Sequence, residues 1–134
     1  MDVTYTTAPS LADIEGLARE ALLTIPPELR RHAADVVIRV EEFPDETTER
    51  DMGLESPFDL LGLYRGTPFG LRSASETPHD VDMIFLFRRP LLDYWCESGE
   101  ELTHLIRHVL IHEIGHHFGL SDEDMARIEE DADG

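Results

Sequence analysis

Lysine is absent from this sequence: all 11 of its basic residues are arginine. Set against 29 Asp and Glu, they leave a formal net charge of −18. A surface so negative repels phosphate backbones and anionic lipid. It argues against nucleic acid and membranes as partners and favours basic or neutral ones. The choice of Arg over Lys reads as solubility plus a codon-level bias rather than as a binding signal. Cysteine is nearly absent too. Cys96 stands alone, so no intramolecular disulfide can form. Its neighbours in Leu91-Leu92-Asp93-Tyr94-Trp95 are mostly apolar, which predicts an inert buried thiol rather than a nucleophile. No apolar run is long enough to span a bilayer. Met1-Asp2-Val3-Thr4-Tyr5 offers neither the basic start nor the apolar stretch of a secretory signal. A reducing cytoplasm is therefore the expected location. What remains is a chain of 134 residues. That length predicts one domain over residues 1–134, with enough core to fold without a disulfide or a metal.

Ser10 followed by Asp13 forms a helix-capping pattern. Leu11, Ile14, Leu17, Ala18, Ala21, Leu22 and Ile25 then recur at helical spacing. They predict an amphipathic helix up to Pro26-Pro27, with a short helical turn over residues 28–31. Residues 35–41 are β-branched and bounded by turn formers, which predicts a strand. Carboxylates crowd the segment from Glu41 to Asp51, whose expected state is an irregular, solvated loop as far as Glu55. Their spacing does not fit an EF-hand calcium loop. Residues 60–65 suit a second strand, residues 66–80 a long loop, and residues 81–87 the clearest strand of all. Pro90 suits the first turn of a helix.

Ser98 and Glu101 have capping-box spacing, so a long helix is predicted over residues 99–118. Leu102, Leu105, Val109, His112 and His116 share one face of it; Ile106, Leu110, Ile114 and Phe118 populate another. A helix apolar nearly all round must be central. Ser121 with Asp124 caps a short acidic helix reaching to about Asp131.

The most telling segment is His112-Glu113-Ile114-Gly115-His116-His117-Phe118-Gly119-Leu120-Ser121-Asp122, which reads H-E-x-x-H-x-x-G-x-x-D. His112 and His116 sit one helical turn apart, so their imidazoles can converge on one metal ion. Glu113, beside the first histidine, is placed to act as a base on an attacking water without being a ligand. Gly119 can take the left-handed conformation that ends a helix. Asp122 then arrives as a candidate third ligand, with Glu123 and Asp124 as competitors, since all three are also favoured by the helix dipole. Two imidazoles, one carboxylate and an open position describe a hydrolytic zinc site with a single ion. The bland alternative is a helix with ordinary histidines.

His104, His108, His112 and His116 are spaced by four. Each such step drifts by about 40° around a helix, so only adjacent pairs align. The pair His108 and His112 is the rival ligand pair, but neither the glutamate nor the Gly-Asp extension fits it. His104 and His108 therefore read as structural or exposed, and His117 points away from His116. Tyr64 reads as a core aromatic, with an oxyanion role as its alternative. Arg88 and Arg89 read as partners of surface acids rather than as substrate anchors.

On three marks the chain resembles the compact bacterial zincin-like metallopeptidases. They are Leu61-Gly62-Leu63-Tyr64-Arg65-Gly66-Thr67-Pro68, Ile84-Phe85-Leu86-Phe87-Arg88-Arg89-Pro90, and the segment from His112 to Asp122. The resemblance covers nearly the whole chain, and the last mark is very specific. It implies a small α+β domain with a minimal zincin core, in which His112 and His116 are zinc ligands and Glu113 is the base. Asp122 looks like the third ligand of aspartate-type metzincins. The likeness to metzincins is incomplete, because the residues after Asp122 leave no room for a C-terminal subdomain with a methionine turn, and Met125 lies too close to the motif to serve as its equivalent.

The expectation is thus a single α+β domain whose small sheet packs on the long helix. It would be a zinc-dependent peptidase acting on short or unfolded peptides, with an edge strand at 82–87 receiving the substrate by strand addition. Two other classes compete. One is a non-catalytic binding or regulatory domain, with or without metal. The other is a non-haem iron oxygenase, which would also use two His and a carboxylate but would have no use for Glu113.

Overall fold

A computed structural model describes residues 7–33, 36–66 and 82–133. The order of elements is α1 (Leu11–Thr24), α2 (Pro27–Arg30), a 3₁₀ turn (Arg31–Ala33), β1 (Val37–Glu41), α3 (Glu46–Met52), a second 3₁₀ turn (Pro57–Asp59), β2 (Gly62–Arg65), β3 (Met83–Phe87), α4 (Arg88–Ser98), α5 (Leu102–His117) and α6 (Asp122–Asp133). The strands form one mixed sheet in the order β1-β3-β2. Helix α1 packs on β1, α5 packs on β2, and the two helices pack on each other. This is the α+β arrangement expected from the sequence. Among the described residues no helix is long and apolar enough to cross a membrane.

β1 runs parallel to β3, with Val37 opposite Met83, and β2 runs antiparallel to it, with Gly62 opposite Leu86. Strand β3 is therefore central, which corrects the expectation that residues 82–87 form an edge. Its apolar run suits that place, since Ile84, Leu86 and Phe87 are all buried. The outer strand next to α5 is β2. It can lie close to the helix because Gly62 has no side chain: a Cβ there would stand 2.7 Å from a methyl of Val109 on α5 and 3.1 Å from the Phe85 carbonyl.

The predicted centrality of the long helix holds. Leu105, Ile106, Leu110, Ile111 and Ile114 are all buried in the core, and they face α1, the sheet and α6 from different sides of one helix. Two caps also form as read. Ser10 and Asp13 exchange a reciprocal pair of hydrogen bonds at the start of α1. At the start of α6, Asp124 N–H donates to the Ser121 hydroxyl at 3.1 Å.

Three local expectations fail for identifiable reasons. The acidic segment contains α3: Asp45 accepts from the Thr48 N–H at 2.7 Å, Glu46 and Glu49 stand in the first turn where the dipole favours them, and Gly53 ends the helix at φ 64°. Charges that looked merely solvated are helix-starting residues. Ser98 does not cap α5. It is the last residue of α4, Gly99 stops that helix at φ 73°, and α5 opens at Leu102 behind Glu101, without a side-chain cap. Cys96, expected to be buried, is exposed, because α4 turns Pro90 and Leu91 inward instead. The loop expected over residues 66–80 lies, apart from Gly66, outside the described residues.

Candidate active site

The site is built on the last three turns of α5 and on the helix that folds back against it. Four-residue spacing stacks His108, His112 and His116 along one side of α5. The His108 and His112 rings are 4.2 Å apart, and those of His112 and His116 are 5.8 Å apart and nearly perpendicular. The helix then stops as the sequence implies. Gly119 adopts φ 77°, and the Leu120 N–H returns to the Gly115 carbonyl at 2.9 Å. The chain reverses and α6 begins at Asp122.

This reversal makes an antiparallel helix pair, so α6 passes back along the histidine side. Its close seating depends on Gly115, where a Cβ would meet the buried side chain of Met125. Asp122, at the near end of α6, places Oδ1 3.7 Å from His116 Nε2. Glu129, two turns further on, places Oε1 2.5 Å from His108 Nδ1 and 3.5 Å from His112 Nε2. One donor atom each from His108, His112 and Glu129 lie within 4.8 Å of one another, and this is the trio of such closeness among the described residues. Both carboxylates thus meet the histidine column at different heights: Asp122 at His116, Glu129 at His108 and His112.

Glu129 escaped the sequence reading. A signal was present. Asp122, Met125 and Glu129 follow i, i+3, i+7 spacing, and among the described side chains of α6 Met125 and Ile128 are buried against the core. The apolar pair marks the inward face, and the two carboxylates flank it.

Glu113 lies on the side of α5 that faces β2, half-buried, with the backbone N–H of Tyr64 near enough to act on its carboxylate. The Tyr64 ring stacks on His117 at 3.8 Å, and its hydroxyl donates to Asp82 at 2.9 Å. Tyr64 is therefore a packed aromatic, as read, and His117 is turned toward the sheet. Arg88 behaves as a structural cation: it reaches Glu42 at 2.9 Å and the Pro9 carbonyl at 2.6 Å. Arg89 lies over the Phe43 ring.

Burial holds His112 below the ordinary imidazole value, helped by the neighbouring His108 and opposed by Glu129. A neutral imidazole is the form that donates a lone pair to a metal. The donor types present fit zinc, with two imidazoles one turn apart and a carboxylate oxygen beside each, but among the described residues only His108, His112 and Glu129 gather their donor atoms within 4.8 Å; His112, His116 and Asp122 do not.

Burial pushes the Glu113 carboxyl up, while His116 and the Tyr64 N–H draw it partly back. A carboxyl raised in the folded state favours folding while protonated. That benefit is complete below the unfolded pKa and is lost as pH rises through the folded one. Ionised Glu113 is therefore a cost to the metal-free fold at neutral pH. Metal-free Glu113→Gln should melt above wild type at neutral pH, and the gap should close as pH falls below the usual carboxylate range. Melting curves across pH test this; a gap that does not change with pH would show that ionisation is not its source.

A family model described as zincin-like metallopeptidase matches residues 33–132, well over half of the chain, and spans α5 and α6. No curated protein matches the chain.

Proposed function

Because the chain belongs to the zincin-like metallopeptidase family, we propose that it hydrolyses peptide bonds with zinc held by His112, His116 and Asp122 and with Glu113 as the base. The observation that carries this reading is the position of Glu113. It lies between the histidine side of α5 and the outer strand β2, with the Tyr64 N–H of that strand acting on its carboxylate. A base in that position meets both a hydrolytic centre and a substrate lying along the strand.

Zinc, when bound, polarises the scissile carbonyl and acidifies the attacking water. Glu113 takes the proton from that water as its oxygen bonds to the carbonyl carbon. It then delivers the proton to the leaving nitrogen as the C–N bond breaks. Its raised pKa suits a group that must both accept and return a proton. The substrate's own backbone supplies the means of orientation. Leu61 C=O accepts the Phe87 N–H at 3.0 Å, so alternation along β2 turns the backbone groups of Gly62 and Tyr64 away from β3. An extended peptide adding to that side of β2 would run past Glu113. This assigns to β2 the role first expected of residues 82–87.

The substrate class follows from access and charge. Asp122 is almost fully exposed and His116 more than half exposed, at 90% and 57% of their side-chain surfaces, so a short or unfolded peptide reaches them directly. The net charge of −18 favours basic residues near the cut. Incubation of the zinc-loaded protein with a diverse library of unfolded peptides tests the activity. No cleavage at any site would leave a binding or regulatory domain as the better reading. The third ligand has its own test. Asp122→Ala should lower zinc affinity by at least about tenfold, since even the loss of an outer partner costs about 10–100-fold. Competition against a chromophoric chelator measures it; unchanged affinity would give the position to another carboxylate.

A further inference from the structure

We propose that His108, His112 and Glu129 form a second divalent-cation site, an alternative to the one at His116 and Asp122 and sharing His112 with it. The site itself stands on geometry alone; only its consequence for turnover rests on the peptidase reading.

Three observations support it. Two donors bound at about 2.0–2.1 Å to a tetrahedral zinc ion lie roughly 3.4 Å apart, and His112 Nε2 stands 3.5 Å from Glu129 Oε1. Glu129 Oε1 is buried and receives no hydrogen bond, although imidazole nitrogens face it. A buried carboxylate oxygen needs a proton or a cation beside it, and an ion shared with the two facing imidazoles supplies one. All three donors come from the rigid interiors of α5 and α6, whose separation is fixed by the close contact of Gly115 with Met125. His108 Nδ1, 2.5 Å from Glu129, is too close for a shared ion and must open by about 1 Å to admit one. The site's two nitrogens and one oxygen suit zinc or a similar first-row ion rather than magnesium or calcium.

The Nε2 lone pair of His112 that faces Glu129 serves one ion at a time. An ion in the second site therefore withholds His112 from the first. The ratio between the two positions is set by the protein and not by zinc concentration, because each holds one ion. In the peptidase reading, an ion beside Glu129 is parked away from Glu113 and His116.

The double variant H116A/D122A disables the first site only. Both residues are exposed, so the fold should persist, as circular dichroism would show; H116Q/D122N carries the same test if it does not. Titration with zinc alone, in competition with a chromophoric chelator, should find one ion per chain in the double variant, bound more weakly than in wild type. Adding Glu129→Gln, or separately His108→Ala, should lower that affinity by at least about tenfold. A folded double variant that binds no zinc overturns the proposal. So does zinc binding that is indifferent to both Glu129→Gln and His108→Ala. Neither result depends on whether wild type cleaves peptides, so a failed activity assay and a failed second site remain separate findings.

Discussion

Glu113→Gln is expected to bind zinc as tightly as wild type and to lose peptide hydrolysis by about 10²–10⁴-fold, the usual contribution of a positioned base. The two halves of this result have different origins. Glu113 faces β2, while the donor atoms of His112 and His116 face α6, where Glu129 and Asp122 lie at 3.5 and 3.7 Å. The carboxylate of Glu113 is therefore outside both donor sets. Glutamine matches glutamate in size, and β2 is held by its ladder to β3, so the strand should stay in place. What glutamine lacks is an oxygen basic enough to take a proton from water. The measurements are a chelator competition for zinc and a steady-state rate on whichever peptide wild type cleaves. Equal rates for variant and wild type would assign the activity to another site or to a contaminant. A loss of zinc alongside the loss of rate would instead make Glu113 a ligand, and the division of roles along α5 would have to be redrawn.

The proposed division can be read from the sequence because it depends on one helix. Four-residue spacing fixes which histidines can meet, and the caps at Ser121 and the glycine at 119 fix where the helix ends, all within a dozen residues of one another. The antiparallel return of α6 follows from the short turn. The height at which α6 crosses the histidine column does not. It depends on the seating of Met125 against Gly115 and of Ile128 in the core, and those are contacts between elements. Glu129 was missed for that reason, although its face of α6 was marked by Met125 and Ile128. Strand order was hidden in the same way. The residues of β3 announce a buried strand, but nothing local says that β1 and β2 flank it, or that β2 carries the side nearest Glu113. Helix α3 is hidden for a different reason. Taken as charge alone, the carboxylates of this segment suggest a solvated loop, but Asp45, Glu46, Glu49 and Gly53 in that order are a cap, a first turn and a stop.

His112 is the point at which both proposed donor sets meet, and His112→Ala should remove zinc from both. With His112 gone, His116 and Asp122 keep two donors, and His108 and Glu129 keep two. Each pair falls short of the three protein ligands that a zinc site of this type needs. The variant should therefore hold far less than one ion per chain under conditions that saturate wild type, and hydrolysis should fall to background with it. His116→Ala should behave differently. It leaves His108, His112 and Glu129 intact, so it should still bind one ion, more weakly, while hydrolysis is lost. The contrast between the two histidines is the informative quantity, since a single-site arrangement would make them equivalent. The His112 side chain is 31% exposed and that of His116 57%, so His112→Ala also removes packing against α6; circular dichroism and a melting curve must show that the variant remains folded. Metal analysis of both proteins, prepared without chelator and then saturated with zinc, gives the answer. Equal loss of metal in the two variants would remove the second site and leave the first intact. Retention of a full ion by folded His112→Ala would remove both.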